Sequence, residues 1–424
     1  MDHFTYRNGI LHAEDVPVPA IAEAVGTPFY CYSTATLTRH YTVLEEAFSA
    51  LSPLFCFAVK ANSNQAVLRT LGQLGAGADC VSGGEVRRAI LAGIPAERIV
   101  FSSVGKTVPE LEYAVQENIL QFNVESLAEL HMLSDTATRL GKTARIALRI
   151  NPAIDADKDV GTHAKISTGK KIHKFGIAFE KAEEAYALAA NLPGLKITGI
   201  SVHIGSQFTS LEPFRWAFPR IIELTTRLKQ NGLPIDSIDL GGGLGIPYHE
   251  ESPPQPDIYA AMIREFVEPL NCRLILEPGR VIAGNAGILI TSVILTKHTG
   301  EREFVIVDAA MNDLMRPSLY DAYHEIIPVT AATNPEDTRL LDIAGAVCET
   351  GDVFARGRLL PPMQAGDLLA FRSTGAYGAV MAGNYNTRLL IPEVMVHGNA
   401  FAIVRKRQTY DTLIGMDEQP PWLA

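Results

Sequence analysis

From about residue 53 to residue 285, the chain repeats one pattern of apolar and polar positions. A short apolar run ends in polar residues or glycine, and a segment with apolar residues at helical spacing follows, as at 83–93, 107–118 and 214–232. The apolar runs end in eight sequences: VKANS, ADCVS, VFSSV, FNVES, LRINP, VHIGS, DLGGG and LEPGR. Eight strand–helix units in succession predict a (β/α)8 TIM barrel, because the alternative, a doubly wound open sheet, usually has fewer strands.

The two flanks of this region have a different pattern. After residue 285, short strand-like runs alternate with turn residues, as in EFVIVDAA, TRLLDIAGAVCETGDVF, GDLLAFRSTGAYG and RLLIPEVMV. Before residue 33, FTYRNGILHAEDV resembles a hairpin around Asn8-Gly9. We therefore predict a barrel over 33–285 and a β-domain formed by 1–32 and 286–424.

Composition and charge exclude several classes of partner and site. The 424 residues carry a formal net charge of -10, which argues against nucleic acid or an anionic membrane as a partner. The five cysteines are widely spaced without CxxC pairs, so neither a disulfide framework nor a metal site is predicted. The start, MDHFTYRNGI, lacks a basic region followed by an apolar one, and the apolar stretch 287–296 is too short to span a bilayer. These features predict a cytoplasmic protein.

The predicted strands end in residues that can do chemistry. In FCFAVKANS, an apolar run ends in Lys60, which is either a lysine that extends into solvent or an amine held for a reaction. Active sites of TIM barrels lie where the strands end, and the other strands also end in polar residues or glycine. A long polar insert, 153–177, is expected to form a loop over this mouth.

Three of these strand ends suggest a cofactor. Gly241, Gly242 and Gly243 form either a tight turn or a phosphate cradle, and they follow the seventh strand, where barrels tend to bind phosphate. Taken alone, His203 fits a hydrogen-bonded core histidine, and Glu277 with Arg280 fits a surface ion pair. A lysine, an imidazole, a phosphate cradle and a buried carboxylate at one mouth are what pyridoxal 5'-phosphate requires.

The whole chain resembles the diaminopimelate decarboxylases, a family of pyridoxal-phosphate enzymes with a barrel and a β-domain. The resemblance rests on the motifs FAVKAN, GADCVSGGE, HIGSQ, DLGGGLGI, EPGR, MRPSLY, AGAVCETGD and GAYG. CETGD and HKFGI stand where CESGD and SKFGI are commoner, and neither change removes a group that does chemistry.

The resemblance implies a role for each matched residue of the barrel. Lys60 is expected to carry the cofactor covalently, and His203 to stack on its ring. Glu277 is expected to keep the pyridine nitrogen protonated, where the similar alanine racemases have an arginine. The expected cofactor-binding set is Lys60, Asp79, His203, Ser206, Gly241, Gly242, Gly243, Glu277, Pro278, Gly279, Arg280 and Tyr377.

The resemblance also implies the substrate, meso-2,6-diaminopimelate, with L-lysine and carbon dioxide as products. The end of this substrate away from the cofactor carries a carboxylate and an ammonium, which require a cation and an anion. The expected substrate-binding residues are Arg280, Arg316, Tyr320, Glu349 and Tyr377. An ornithine decarboxylase would instead carry an acidic residue in place of Arg316. The alternative interpretation of Arg316 is a loop arginine that extends into solvent.

Cys348 of CETGD is the expected proton donor after carbon dioxide leaves, although a small buried hydrophobe is the commoner fate of a cysteine. In the family this loop enters the active site of the neighbouring subunit, so a homodimer with shared sites is expected. Two other functions stay open at this point: a decarboxylase of another basic or carrier-linked amino acid, and a cofactor-binding regulatory protein on an inactive barrel.

Overall fold

The computed structural model describes residues 2–153, 168–169, 173–332, 334 and 336–423. The chain divides into two compact units, the first formed by Met1–Leu37 with Ala283–Ala424 and the second by Thr38–Ile282. The predicted loop over 153–177 falls mostly outside the described residues.

The first unit begins with the predicted hairpin, at whose turn Asn8 and Gly9 both have positive φ (50° and 77°), as two-residue hairpin turns require. The segment was predicted to be β-structure, and it also contains one helix that was not predicted. That helix is short, has Pro19 in its first turn, and buries Val18 and Ile21. Eight residues give too few turns for its period to be read from the sequence. The elements are β1 (Phe4–Arg7), β2 (Ile10–Ala13), β3 (Val16–Pro17), α1 (Val18–Val25) and β4 (Phe29–Ser33).

The second unit is the predicted (β/α)8 barrel. Its strands are β5 (Leu54–Ala58), β6 (Gly77–Cys80), β7 (Ile99–Ser102), β8 (Gln121–Val124), β9 (Ala144–Asn151), β10 (Ile177–Ala178), β11 (Leu195–Ser201), β12 (Ser237–Asp239) and β13 (Arg273–Leu276). Eight of them pair in parallel around a closed sheet, in which β13 returns to β5, and β10 adds only a short pairing to β9. The predicted fold is confirmed.

Helices precede, separate and follow the barrel strands. They are α2 (Thr34–Ala47), α3 (Gln65–Gln73), α4 (Gly83–Leu91), α5 (Val108–Gln116), α6 (Leu127–Arg139), α7 (Ala182–Asn191), α8 (Glu212–Gln230), α9 (Pro256–Val267) and α10 (Arg280–Ala283). Serine caps start two of them: Ser82 and Ser126 accept hydrogen bonds from the backbone N–H groups of Glu85 and Glu129. Because α4 and α6 start so soon after β6 and β8, the residues at these strand ends have little freedom of position.

The rest of the first unit is mainly sheet. Its elements are β14 (Gly287–Thr299), β15 (Arg302–Val307), α11 (Arg316–Tyr320), β16 (Ile326–Pro328), β17 (Arg339–Ala344), β18 (Val353–Leu360), β19 (Leu368–Phe371), β20 (Glu393–His397), β21 (Ala400–Arg405) and α12 (Tyr410–Ile414). The strand order β18-β17-β15-β14-β4-β20-β21 places N-terminal β4 inside this sheet, and β19 pairs with both β14 and β16. Within the part of the chain that the structure describes, none of the helices has the length and apolar character needed to cross a membrane.

An aromatic cluster joins α8 and α9 in the barrel unit. The ring of Phe214, which is fully buried, lies 5.1 Å from the rings of Phe208 and Tyr259 and 5.5 Å from that of Phe218, measured between centroids. Large buried rings contribute strongly to stability because they remove much apolar surface from water. Phe214 is therefore a sensitive position at which to test the packing of the barrel.

We expect Phe214→Ala to lower the midpoint of thermal unfolding by on the order of 10 °C, because a buried Phe→Ala change costs about 3 to 5 kcal/mol. Leu91→Ala is the matched control, since Leu91 is 75% exposed; it should shift the midpoint by less than about 2 °C. Calorimetry of both proteins without cofactor checks this. Equal shifts would contradict the packing described.

Candidate active site

Lys60 lies two residues beyond the end of the strand on which the sequence placed it. β5 ends at Ala58, and Lys60 sits in the short 3-10 turn Val59–Ala61 that follows. Its Nζ forms an ion pair with Oδ2 of Asp79, which is at the end of β6 and fully buried. The other oxygen of Asp79, Oδ1, is buried and accepts no hydrogen bond from the described residues. The amine is thus held at the barrel mouth beside a carboxylate with one unused oxygen.

Glu277 directly follows β13 and is buried among polar groups. It accepts a hydrogen bond from Ser102 (3.3 Å) and a longer one from Asn123 (3.5 Å), and it also bonds Asp239. Burial raises the pKa of Glu277 well above its usual range, and the charges of Asp239 and Asp79 raise it further. Burial also raises the pKa of Asp239, to about 6. We infer that Glu277 holds a proton toward Asp239, because two adjacent buried carboxyl groups cannot both ionise easily.

His203 follows β11 and is held by the main chain of the neighbouring strand end. Its Nδ1 accepts a hydrogen bond of 3.2 Å from the N–H of Gly242. Burial lowers the pKa of His203 well below its ordinary value, and the positive charges of Arg149 and Lys60 lower it further. The imidazole is therefore neutral, with its proton on Nε2.

The three glycines after β12 are required by close approach. A Cβ atom at Gly241 would lie 2.6 Å from His203 Nδ1, and one at Gly242 would lie 2.3 Å from the carbonyl oxygen of Glu277. Gly241 also has a φ of +66°, which favours glycine. Two of the amides expected to face a phosphate have protein partners: Gly241 N–H donates to Asp239 Oδ1 (2.9 Å), and Gly242 N–H donates to His203. In this structure these two glycines therefore position side chains.

Arg280 is the buried cation of the barrel mouth. Its Nη2 donates to Ser206 Oγ (3.1 Å) and its Nη1 donates to Tyr248 Oη (2.7 Å). Pro278 and Gly279 lie against β5: the Pro278 carbonyl accepts the N–H of Ala58 (3.1 Å), and a Cβ at Gly279 would come within 2.9 Å of the Ala58 Cβ. Sequence reasoning missed Tyr248, although it follows DLGGGLGI by one proline.

The barrel residues fit pyridoxal phosphate. Lys60 offers an amine, Glu277 a buried acid, His203 a neutral flat ring, and Arg280 with Ser206 a cation and a hydroxyl for a phosphate. The buried, unpaired Oδ1 of Asp79 next to Lys60 adds an acceptor that the described residues leave unused. In the order given, these groups match the aldehyde, the ring nitrogen, the ring face and the phosphate of the cofactor.

The predicted substrate residues lie in the other unit. Arg316 begins α11 and is buried, so the interpretation as a solvent arginine is wrong; Tyr320, half-buried, ends the same helix. Arg316 Nε donates to His324 Nε2 at 3.3 Å. Tyr377 is half-buried and has a φ of +57°, which is uncommon for a residue with a side chain.

The CETGD turn between β17 and β18 carries Cys348 and Glu349. Cys348 is exposed, so the alternative of a small buried hydrophobe is wrong, and its N–H donates to Asn386 Oδ1 (2.8 Å). A hydrogen bond to Glu349 raises the pKa of Tyr385. Sequence reasoning did not single out Asn386 or Tyr385, which lie between predicted strands without a recognisable motif.

Asp352 anchors this turn from inside. Its buried carboxylate accepts the N–H groups of Met311 and Val347, each at 2.7 Å. Ser318 Oγ of α11 also donates to the Gly351 carbonyl (2.8 Å). The turn with Cys348 and the helix with Arg316 are thus fixed to one another.

The closed barrel and this residue set define a class, the pyridoxal-phosphate enzymes built on a (β/α)8 barrel. The family described as "Pyridoxal-dependent decarboxylase, pyridoxal binding domain" matches residues 34–284. The diaminopimelate decarboxylase of Zymomonas mobilis is 51% identical, with 99% of each chain covered. The chain belongs to the diaminopimelate decarboxylase family.

Solved structures of the same family are similar to this chain over nearly its whole length. The crystal structure of diaminopimelate decarboxylase from Helicobacter pylori, complexed with L-lysine, has a TM-score of 0.89 and 39% identity, covering 94% of this chain and 98% of that one. The diaminopimelate decarboxylase of M. jannaschii, also in complex with L-lysine, has a TM-score of 0.93 and 37% identity, covering 100% of this chain and 99% of that one.

We expect Gly242→Ala to weaken pyridoxal-phosphate binding on the order of tenfold or more, because its Cβ would push the neighbouring strand end away and misplace Glu277 and His203. Titration of the cofactor-free protein, followed by absorbance, checks this. The matched control is Gly105→Ala, where a Cβ has nothing within 4 Å and φ is not positive. If both variants bound the cofactor alike, the close approach would not matter to the site.

Proposed function

We propose that this protein decarboxylates meso-2,6-diaminopimelate to L-lysine and carbon dioxide with pyridoxal 5'-phosphate, the last step of lysine biosynthesis by the diaminopimelate route. The observation that carries the proposal is the barrel mouth itself, where the Lys60 amine is paired with buried Asp79 and accompanied by the buried acid Glu277. The high identity to diaminopimelate decarboxylases supports the same reaction.

Lys60 and Asp79 hold and release the cofactor. Lys60 Nζ is the covalent attachment point, and Asp79 Oδ2 orients it and can take up the proton that Nζ must lose before it acts as a nucleophile. When bound, pyridoxal phosphate supplies an electron sink for the pair of electrons left behind as carbon dioxide departs.

Glu277 determines the strength of that sink. Its raised pKa keeps a proton in the pocket, and its carboxyl group would hold the ring nitrogen of a bound cofactor in the protonated form. Asn123 and Ser102 orient Glu277 by their hydrogen bonds. A carboxyl group at this position favours decarboxylation, whereas the arginine of the racemases would weaken the sink.

The remaining barrel residues orient the cofactor. His203, a neutral imidazole fixed by the Gly242 amide, would stack on the cofactor ring. Arg280 and Ser206 would bind the cofactor phosphate, together with Gly243, Gly279 and Tyr377. Gly241 and Gly242 contribute by leaving room for His203 and the Glu277 backbone, since their own N–H groups donate to Asp239 and His203. Pro278 sets the path of the EPGR segment along β5, and Tyr248 positions Arg280 through its hydroxyl.

Substrate choice depends on charge at the distal end. The guanidinium of Arg316 binds the distal carboxylate, with Tyr320, Arg280 and Tyr377 beside it, and Glu349 binds the distal ammonium. Burial of Arg316 supports this role, because a cation removed from water interacts strongly with a carboxylate. Cys348, which is exposed in the chain, donates the proton that replaces carbon dioxide.

The catalytic unit is a homodimer in the cytoplasm. The barrel, over 33–285, holds the cofactor, and the β-domain, from 1–32 and 286–424, supplies Cys348 and Glu349 to the barrel of the partner subunit. The exposure of Cys348 in a single chain supports this arrangement, because a proton donor must reach a site that excludes water. Neither nucleic acid nor a membrane takes part.

The function is tested by carbon dioxide release from diaminopimelate, with and without added pyridoxal phosphate. We expect cofactor-dependent release by the parent and none by Lys60→Ala, since the covalent step is lost while the fold is kept. Lys142→Ala, at an exposed position of the same unit, should retain full activity. Full turnover by Lys60→Ala would show that Lys60 is not the attachment point.

Ornithine, lysine and arginine, assayed side by side with diaminopimelate, separate the alternatives. Faster release from one of these would favour a decarboxylase of another basic amino acid. No release from any of them by the cofactor-loaded protein would favour a regulatory protein on an inactive barrel.

Subunit mixing tests the shared site. Lys60→Ala and Cys348→Ala, each nearly inactive alone, should regain activity when their subunits exchange, because one site of a mixed dimer carries neither lesion. Random exchange in equal proportion restores roughly a quarter of all sites if the dimer has closed two-fold symmetry. If Cys348 served the cofactor of its own chain, a sample shown to contain mixed dimers would stay inactive.

A further inference from the structure

His324 is a buried histidine whose two ring nitrogens have different partners. Nε2 lies 3.3 Å from Nε of Arg316, and Nδ1 lies 2.9 Å from the backbone carbonyl of Arg372. A carbonyl oxygen can only accept, so Nδ1 carries the proton. Nε2 then has a lone pair, which accepts the Nε–H of Arg316. Both hydrogen bonds are satisfied by one neutral tautomer.

The backbone around His324 is held by the β16–β19 pairing. Ile326 pairs with Phe371 in this antiparallel ladder, and the N–H of Arg372 donates to the Glu325 carbonyl at 2.8 Å. The carbonyl of His324 itself accepts a hydrogen bond of 3.4 Å from Arg358 Nη2. The imidazole therefore presents Nε2 from a fixed position.

This contact restricts how Arg316 can bind a carboxylate. A guanidinium makes paired hydrogen bonds either through Nε and one Nη or through both Nη groups. Because His324 takes the Nε–H, the first mode is blocked and the second remains. A neutral acceptor also leaves the full positive charge on Arg316, whereas an Asp or Glu at this place would neutralise it and compete with the substrate.

We propose that His324 is a positioning residue that fixes the guanidinium plane of Arg316, so that the distal carboxylate of the substrate is bound through Nη1 and Nη2. The inference rests on the proposed role of Arg316 in binding diaminopimelate. His324 acts through Arg316 and touches neither the cofactor nor the reacting atoms.

Two variants separate this role from a structural one. In His324→Asn, the side-chain amide can reach the Nδ1 position and keep the bond to the Arg372 carbonyl, but it is too short to accept the Nε–H of Arg316. In His324→Gln, the amide oxygen can reach the Nε2 position and accept from Arg316, while the bond to the Arg372 carbonyl is lost. His397→Gln, at an exposed histidine of the same unit, is the control.

We expect His324→Asn to raise the KM for diaminopimelate on the order of tenfold, because a charged guanidinium loses its orienting bond. His324→Gln should stay within about threefold of the parent KM, since the orienting bond is rebuilt. Cofactor affinity, measured by absorbance titration, should be unchanged in both. The opposite order of KM values, or a KM unaffected in His324→Asn, would overturn the inference.

A double-mutant cycle with Arg316→Ala completes the test. If His324 acts through Arg316, His324→Asn should raise KM in the parent and have no further effect in the Arg316→Ala protein. An equal effect in both backgrounds would overturn the inference while leaving Arg316 as a substrate residue. If Arg316→Ala left KM unchanged, both the role of Arg316 and the inference would fail, and the decarboxylase assignment would still be decided by carbon dioxide release from the parent.

Discussion

The closure of the barrel is the constraint on which the candidate site depends. Lys60 follows the first barrel strand and Glu277 the last, and they become neighbours in space only because β13 pairs with β5, with Leu276 opposite Phe55. Gly279 permits this closure to be tight, since any side chain there would meet Ala58. The amine and the acid are therefore positioned by sheet geometry, which is more rigid than a loop.

Closure also concentrates negative charge. Asp79, Asp239 and Glu277 are all buried, and charges in such an environment interact much more strongly than in water. The site balances this in two ways: Lys60 pairs with Asp79, and Glu277 takes up a proton instead of ionising. Asn123 holds the second of these groups in place, since its amide donates to Asp239 Oδ2 at 2.8 Å and to Ser102 Oγ at 2.9 Å. A cofactor with a ring nitrogen and an aldehyde can use both the proton and the amine.

The sequence was sufficient to predict the barrel and the positions of its strand ends, because apolar runs at a regular spacing reflect burial on both faces of a strand. It was less informative about contacts between side chains that no sequence motif connects. Tyr248 and His324 were missed because nothing local shows that their polar atoms contact Arg280 and Arg316. The roles of the Gly241 and Gly242 amides were also not apparent, since their partners depend on how the strands are packed. Helix α1 was missed because its pattern is too short.

The contacts described for Arg316 come from its own unit, through His324 and the β16–β19 ladder. The groups that would handle the cofactor are instead fixed within the barrel. Under the proposed function, the arginine for the substrate tail and the groups for the cofactor therefore belong to different compact units of the chain. If α11 sets the choice of substrate as proposed, changes around this helix would alter that choice while leaving the cofactor groups of the barrel in place.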